Sequence, residues 1–391
     1  MRRRRRNFGL GLGALVVTSH RAYHANSGIF HADGLALRPI GKSSFVRQQQ
    51  RNRENPWLSG MEVLSSQEIL QLARNNSKRT RGSRAYQSSW RHWVEQTTMA
   101  IRQELVENLP HPVHVEELAR LSLELGIAAD RGEMPSFSHP GARSGYVLDY
   151  FCRARLLAGL LIESQVAEDI ASLWRSEQNR TIHLTSLGGG PGFDFVALAM
   201  VILFSQCGDN AQLHPQLNAT VLDYEEGWSD LVQAMHDSTT TIFQRPNFHC
   251  HWGGKCDITK ALSHSSNKAC LANIATTNIW TCQYCIAENA QQLRSSNYIF
   301  FQDLWNVMPD QALVILTETT PRLWPELYRI VEESCPFMQV TFPNYKGPQM
   351  FLRKCLTSSS SSTAETKVSL SDRDKKLLQE FQEISARHEE R

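Results

Sequence analysis

The chain has 391 residues, enough for a full α/β domain plus an additional region. Its 41 Lys/Arg against 39 Asp/Glu give a formal net charge of +2, a balance that argues against a single highly charged nucleic-acid surface while leaving room for local basic patches. Nine cysteines, an odd number scattered through strand-like and helix-like segments, argue for free thiols in a reducing compartment and against a disulfide framework.

The charge is unevenly spread. Residues 1–60 carry 11 Lys/Arg and 2 Asp/Glu, leaving 30 against 37 for the rest. Arg2 to Arg6, then the apolar run Phe8 to Val17 and Arg21, with no acid before Asp33, has the character of an organellar, for example mitochondrial, presequence. A secretory signal, a twin-arginine signal at Arg5-Arg6 and a basic tail of a cytoplasmic protein are the rival readings. Residues 1–58 lack sustained periodicity and read as presequence and disordered linker, dispensable to the fold.

Residues 59–143 are expected to form a helical N-terminal region. It opens with the capping box Ser65-Ser-Gln-Glu68, followed by helical patterns at 84–108 and 115–127. Arg74, Lys78, Arg79, Arg81 and Arg84 cluster ahead of a helix bearing Trp90 and Trp93, which makes RNA a candidate partner; a solvated interhelical loop is the alternative. A further helix is expected at 144–163.

From Thr181 short β-rich runs alternate with amphipathic stretches, the signature of a mostly parallel sheet with crossover helices. Strands are expected at 182–187, 219–223, 248–252, 279–284, 313–317, 338–342 and 350–354, with helices near 193–206, 227–237, 289–307 and 323–334. The loop Pro343 to Pro348 is too short for a crossover and makes the last two strands an antiparallel pair. The longest apolar stretch, Phe193 to Phe204 after Asp194 is allowed for, is too short to span a bilayer. The remainder, 357–391, reads as a serine-rich linker and a C-terminal helix with Leu377, Leu378, Phe381 and Ile384 on one face.

The strongest chemical signal is Leu184-Thr-Ser-Leu-Gly188-Gly-Gly-Pro-Gly192-Phe-Asp194, an apolar strand running into a glycine turn and then a helix. Such a turn brings backbone N–H groups and a helix N-terminus close to a ligand. A P-loop would need Gly-Lys-Ser/Thr at its end, and a dinucleotide fingerprint would need a third small residue where Phe193 or Phe195 stands. Neither condition is met. The run instead resembles the first motif of class I S-adenosylmethionine-dependent methyltransferases of Rossmann-like fold, subfamily not identified, over residues 144–356. The resemblance implies an α/β domain with a seven-stranded mostly parallel sheet and helices on both faces. It also implies S-adenosyl-L-methionine as cofactor, with Gly188, Gly189, Gly190, Gly192 and Asp194 around its methionine part.

A second strand ends in Thr220-Val-Leu-Asp223-Tyr224, where an exposed carboxylate can accept hydrogen bonds from both ribose hydroxyls. The resemblance gives that role to Asp223, places Tyr224 against the adenine, and puts Asp257 and Ile258 at the adenine edge. Gln283 completes the expected donor site.

The fourth strand runs into Thr281-Cys282-Gln-Tyr284-Cys285-Ile-Ala-Glu288, where the resembling enzymes place acceptor-contacting groups. Cys282, Tyr284 and Glu288 are therefore the candidate catalytic residues, Cys282 as a covalent nucleophile or a packed thiol. Glu318 is a further acid at a strand end, and Tyr146 and Tyr150 either close over the donor or pack in the core. A zinc site joining Cys282/Cys285 to His249, His251 and Cys256 is disfavoured, because the expected strand order puts two strands between them; no metal is expected. The acceptor is left open among RNA, protein and a small molecule, with a catalytically inactive, methyltransferase-like binding subunit as the alternative.

Overall fold

The computed structural model describes residues 64–77, 84–131, 134–164, 166, 168–170, 181–206, 216–343, 349–355 and 370–389. The expected presequence, the serine-rich run and most of the Pro343 to Pro348 loop lie outside them. So do Lys78, Arg79 and Arg81 of the basic cluster, together with the side chains of Arg74 and Arg84.

The helices α1 (Ser66–Ser77), α2 (Arg84–Glu107), α3 (Val115–Arg131), α4 (Pro140–Tyr150) and α5 (Cys152–Glu163) precede the sheet. The capping box at the start of α1 is formed: the Glu68 backbone N–H donates to Ser65 Oγ at 3.4 Å, and Ser65 N–H to Glu68 Oε2 at 2.8 Å. The helix expected at 144–163 is two, parted at Phe151, and its first half starts four residues earlier. Pro140 supplies the fixed φ of a first helical turn, and His139 Nδ1 accepts from Ala142 N–H at 3.2 Å. Position 144 thus falls inside α4.

The α/β region comprises β1 (Thr181–Leu187), α6 (Phe193–Gln206), β2 (Gln216–Asp223), α7 (Ser229–Phe243), β3 (Phe248–Lys255), α8 (Lys268–Asn273), β4 (Ile279–Gln283), α9 (Ala290–Ser295), α10 (Ile299–Val307), β5 (Leu313–Thr317), α11 (Trp324–Ser334), β6 (Met338–Thr341) and β7 (Gln349–Lys354). The strands form one seven-stranded sheet of order β3-β2-β1-β4-β5-β7-β6. All pairings are parallel except those of β7, which is antiparallel to both β5 and β6. This is the expected α/β class and topology.

β4 and β5 are buried at every position, as central strands covered on both faces must be. One core lies on the face carrying α6 and α7; the other lies under α8 to α11. The N-terminal helices share the first core with α6 and α7. Trp93 of α2 packs its ring 5.5 Å from that of Phe204 in α6 and donates its indole N–H to Ile69 O of α1 at 3.1 Å. The helix expected over 289–307 is broken between α9 and α10, where Asn297 and Tyr298 hold left-handed φ of 50° and 55°.

α12 (Asp372–Glu389) docks on the second core through Leu377, Leu378 and Phe381, the Phe381 ring lying 5.3 Å from Phe342. Asp374 ties it down. Its Oδ1 accepts from Phe342 N–H at 3.2 Å and its Oδ2 from Ser371 Oγ at 2.7 Å. Asp374→Ala strips the buried Phe342 N–H of its acceptor and weakens the cap. We expect a loss of about 1–3 kcal/mol, read as a lower Tm in thermal denaturation.

Candidate functional site

The C-terminal ends of β1, β2 and β4 open onto a cleft of about 730 Å³, including the solvent at its mouth. Ligands of open α/β sheets bind at such ends. Gly188 and Gly190 lie at φ of 59° and 50°, in the left-handed region that side chains resist. A Cβ at Gly188 would also strike Cys285 Sγ. The turn is tied to the neighbouring strand at two points: Gly189 N–H donates to Leu222 O at 3.1 Å and Gly190 N–H to Asp223 Oδ2 at 2.9 Å.

Asp223 corrects the sequence reading in one respect. Its carboxylate is not at an open strand end but is only 5% exposed, and Oδ1 also accepts from Glu225 N–H at 3.0 Å. Burial pushes its carboxyl up to about 6 against these bonds. A carboxylate has about four lone-pair sites, so both oxygens keep capacity for a ligand hydroxyl. Tyr224 lines the cleft beside it and donates its hydroxyl to Pro135 O at 2.6 Å, pinning the segment before α4 across the opening.

Asp194, in the first turn of α6, also lines the cleft. Its Oδ2 is held by the hydroxyls of Ser186 on β1 and Thr281 on β4, and burial pushes its carboxyl up to about 6. Asp257 and Ile258 follow β3. Asp257 Oδ1 accepts from Thr259 N–H at 3.0 Å and Oγ1 at 2.6 Å, fixing the turn that presents Ile258 to the cleft.

The β4 end contributes Gln283, Tyr284, Cys285 and Glu288. Tyr284 holds φ of 59°, a costly conformation for an aromatic residue, and its N–H donates to Thr317 O at 2.7 Å. The next turn is fastened by Glu318, at the end of β5, whose Oε1 accepts from Ile286 N–H at 2.6 Å and Ala287 N–H at 3.1 Å. Burial, with Glu318 and Asp223 adding like charge, pushes the Glu288 carboxyl up to about 8; burial pushes Glu318 up to about 7.

Of the expected site residues, Gly188, Gly189, Gly190, Asp194, Asp223, Tyr224, Asp257, Ile258, Gln283, Tyr284 and Glu288 converge on this one cleft. Gly192 and Cys282 do not line it. Gly192 turns the chain into α6, with φ of 89°. Cys282 is fully buried in the second core, on the face opposite Thr281, which rules it out as a nucleophile at the cleft. Two other cysteines line the cleft, Cys256 and Cys285, and the Cys285 thiol donates to Gly188 O at 3.3 Å. The cysteines of the described residues are free thiols, and no group of three or more His, Cys, Asp or Glu placed to hold a metal occurs among those residues.

Wall residues that escaped the sequence reading include Met134 and Phe137 ahead of α4, Arg153 on α5 and Trp228 after β2. Arg143 holds the Phe137 segment, donating from Nη1 to Phe137 O at 2.7 Å and Ser138 O at 2.9 Å. Tyr146 is buried between Phe137 and Tyr150, with ring centroids 5.1 and 4.6 Å away, and it both packs and lines the cleft.

No protein-family model matches the sequence, and no curated protein sequence matches it. Among solved structures, the chain is similar to an rRNA methylase from Streptococcus thermophilus (9% identity, 49% of this chain and 94% of that one, TM-score 0.28). It is also similar to a putative S-adenosyl-L-methionine-dependent methyltransferase from Methanococcus maripaludis (8% identity, 56% and 94%, TM-score 0.32). An O-methyltransferase family protein from Burkholderia thailandensis gives 10% identity over 82% of this chain and 100% of that one, with a TM-score of 0.31. Likenesses this loose do not bear on the chemistry of the cleft.

Proposed function

We propose that the chain is an S-adenosylmethionine-dependent methyltransferase whose donor lies in the cleft at the ends of β1, β2 and β4. The observation that carries this reading is the bond from Gly190 N–H to Asp223 Oδ2, which joins the glycine turn and the strand-end acid into one ligand wall. The donor's adenosine runs from Asp223 toward Asp257 and Ile258; its methionine part follows the turn toward β4. When bound, the donor supplies an already activated methyl group, so the protein has chiefly to position the acceptor in line with it.

Glu288 is the acid–base group of this reading. A carboxyl pushed up to about 8 is mostly protonated at neutral pH, and as pH rises through that value its ionised form can take a proton from an acceptor hydroxyl or amine. Tyr284, set beside it by its left-handed backbone, frames the acceptor.

Two measurements test the reading. Titration calorimetry with S-adenosylmethionine and S-adenosylhomocysteine should show binding of both to the wild type; binding of neither sinks it. Transfer of labelled methyl into fractionated RNA, protein and metabolite pools should then name the acceptor class, RNA being the candidate raised by the Arg74 to Arg84 cluster. Transfer into none of them, with the donor still bound, points to a binding subunit without turnover. A fusion of residues 1–58 to a fluorescent reporter tests the organellar presequence.

A further inference from the structure

Among the described residues, Arg153 is the one cationic side chain lining a cleft whose other charged lining residues are Asp194, Asp223, Asp257 and Glu288. An acid-rich wall suits a sulfonium and an ammonium group. A guanidinium set within it needs its own reason.

The setting of Arg153 is built. Nη1 donates to Tyr146 Oη at 2.6 Å, and the guanidinium lies over the rings of Tyr284, Tyr150 and Tyr146 at 4.1, 4.7 and 5.5 Å. Among the described residues no carboxylate lies within ion-pair distance of it, and the Tyr146 hydroxyl is the one oxygen its N–H groups reach. An arginine carries five N–H donors in a planar fork matched to a carboxylate, so most of that capacity has no acceptor among the described residues.

A second observation lies beside it. Gln283, at the end of β4, is 8% exposed and lines the cleft, and neither its Oε1 nor its Nε2 has a hydrogen-bond partner among the described residues. A buried amide left in that state costs free energy that a ligand would restore.

Strand order says which part of the donor reaches these groups. Asp223 ends β2, the glycine turn follows β1, and Gln283 and Tyr284 follow β4, on the far side of β1. A ligand whose ribose is at Asp223 and whose chain crosses the turn brings its far terminus to Arg153 and Gln283, two strand spacings or roughly 10 Å away.

We propose that Arg153 binds the α-carboxylate of the methyl donor, with the Gln283 amide meeting the adjoining α-ammonium through Oε1, so that this pair selects donors bearing an intact amino-acid head. The assignment rests on the donor reading above and deepens it.

The probe is decarboxylated S-adenosylmethionine, which keeps adenosine, sulfonium and ammonium and lacks only the carboxylate. Titration calorimetry on the full chain compares it with S-adenosylmethionine for the wild type, Arg153→Gln and Arg153→Lys. The wild type should prefer the intact donor by about tenfold to a hundredfold, the worth of a charge-assisted, two-pronged contact. Arg153→Gln should collapse that preference to within about threefold by weakening the intact donor alone, and Arg153→Lys should restore part of it. Full discrimination retained in Arg153→Gln places the carboxylate elsewhere and overturns the assignment. Equal weakening of both ligands overturns it too, since Arg153 would then act only by packing the tyrosines. Equal binding of both by the wild type removes the carboxylate site while leaving the donor reading intact; binding of neither removes both. Should Arg153→Gln fail to fold in a thermal scan, the wild-type ratio and Arg153→Lys decide.

Discussion

Asp223→Ala should weaken S-adenosylmethionine and S-adenosylhomocysteine binding at least tenfold. On the proposed reading the carboxylate accepts from two ribose hydroxyls, charge-assisted bonds that would together contribute on the order of 2–4 kcal/mol, and about 1.4 kcal/mol is one decade. The same substitution releases Gly190 N–H from its acceptor, so the turn that meets the methionine part loses its anchor as well. Stability is pulled in opposite directions. Two N–H groups lose an acceptor, but a buried charge is removed whose carboxyl stood at about 6 rather than near its ordinary 3.8. Holding it ionised costs about 3 kcal/mol at 1.4 kcal/mol per pH unit, similar in size to the bonds lost. The melting temperature should therefore move by only a few degrees while affinity collapses. A variant that keeps wild-type affinity in calorimetry would place the ribose elsewhere.

Glu318→Ala should be the most destabilising single change near the site. Its Oε1 is the acceptor for two buried backbone N–H groups, and alanine leaves both without one, a loss of about 2–4 kcal/mol. Glu318→Gln offers a neutral oxygen at the same place and should keep most of that stability. The pH dependence separates the two roles. The folded carboxyl, at about 7, lies above its ordinary 4.5, so the folded state binds the extra proton and this group's contribution to stability falls as pH rises from about 4.5 through 7. Wild-type protein should lose stability across that window. Glu318→Gln, which does not titrate, should show a flatter profile in thermal denaturation from pH 5 to 8. An unchanged slope would mean that the carboxyl is not held up by burial.

The strands and the glycine turn were legible because their signals are local: apolar runs of strand length, punctuation by glycine and proline, and an acid at a strand end. What the sequence hid depends on direction. In β4 every position is buried, so no alternation of polar and apolar residues tells that Cys282 faces away from the cleft that Cys285, in the turn after the strand, lines. Arg153 sits in Phe151-Cys-Arg-Ala-Arg155 with nothing to distinguish its side from that of Arg155, which instead pairs with Glu95 at 3.5 Å. The break between α9 and α10 rests on left-handed backbone at Asn297 and Tyr298; an asparagine accepts that conformation often, a tyrosine seldom, and no glycine or proline marks the spot. Pro140, a residue suited to a first helical turn, stands where α4 starts, four residues before the start expected from the helical pattern.

The insertion of β7 between β5 and β6 bears on how the chain is made. Until Gln349–Lys354 has left the ribosome, β5 has an open edge of main-chain donors and acceptors, and β6 has no neighbour at all. Leu313 to Thr317 is moreover buried at every position, so that edge is apolar as well as unpaired. The nascent domain therefore carries an adhesive seam from the emergence of β5 until its last strand closes it. A message truncated anywhere between Thr341 and Gln349 encodes a product with six of its seven strands and the aggregation tendency of an unsealed sheet.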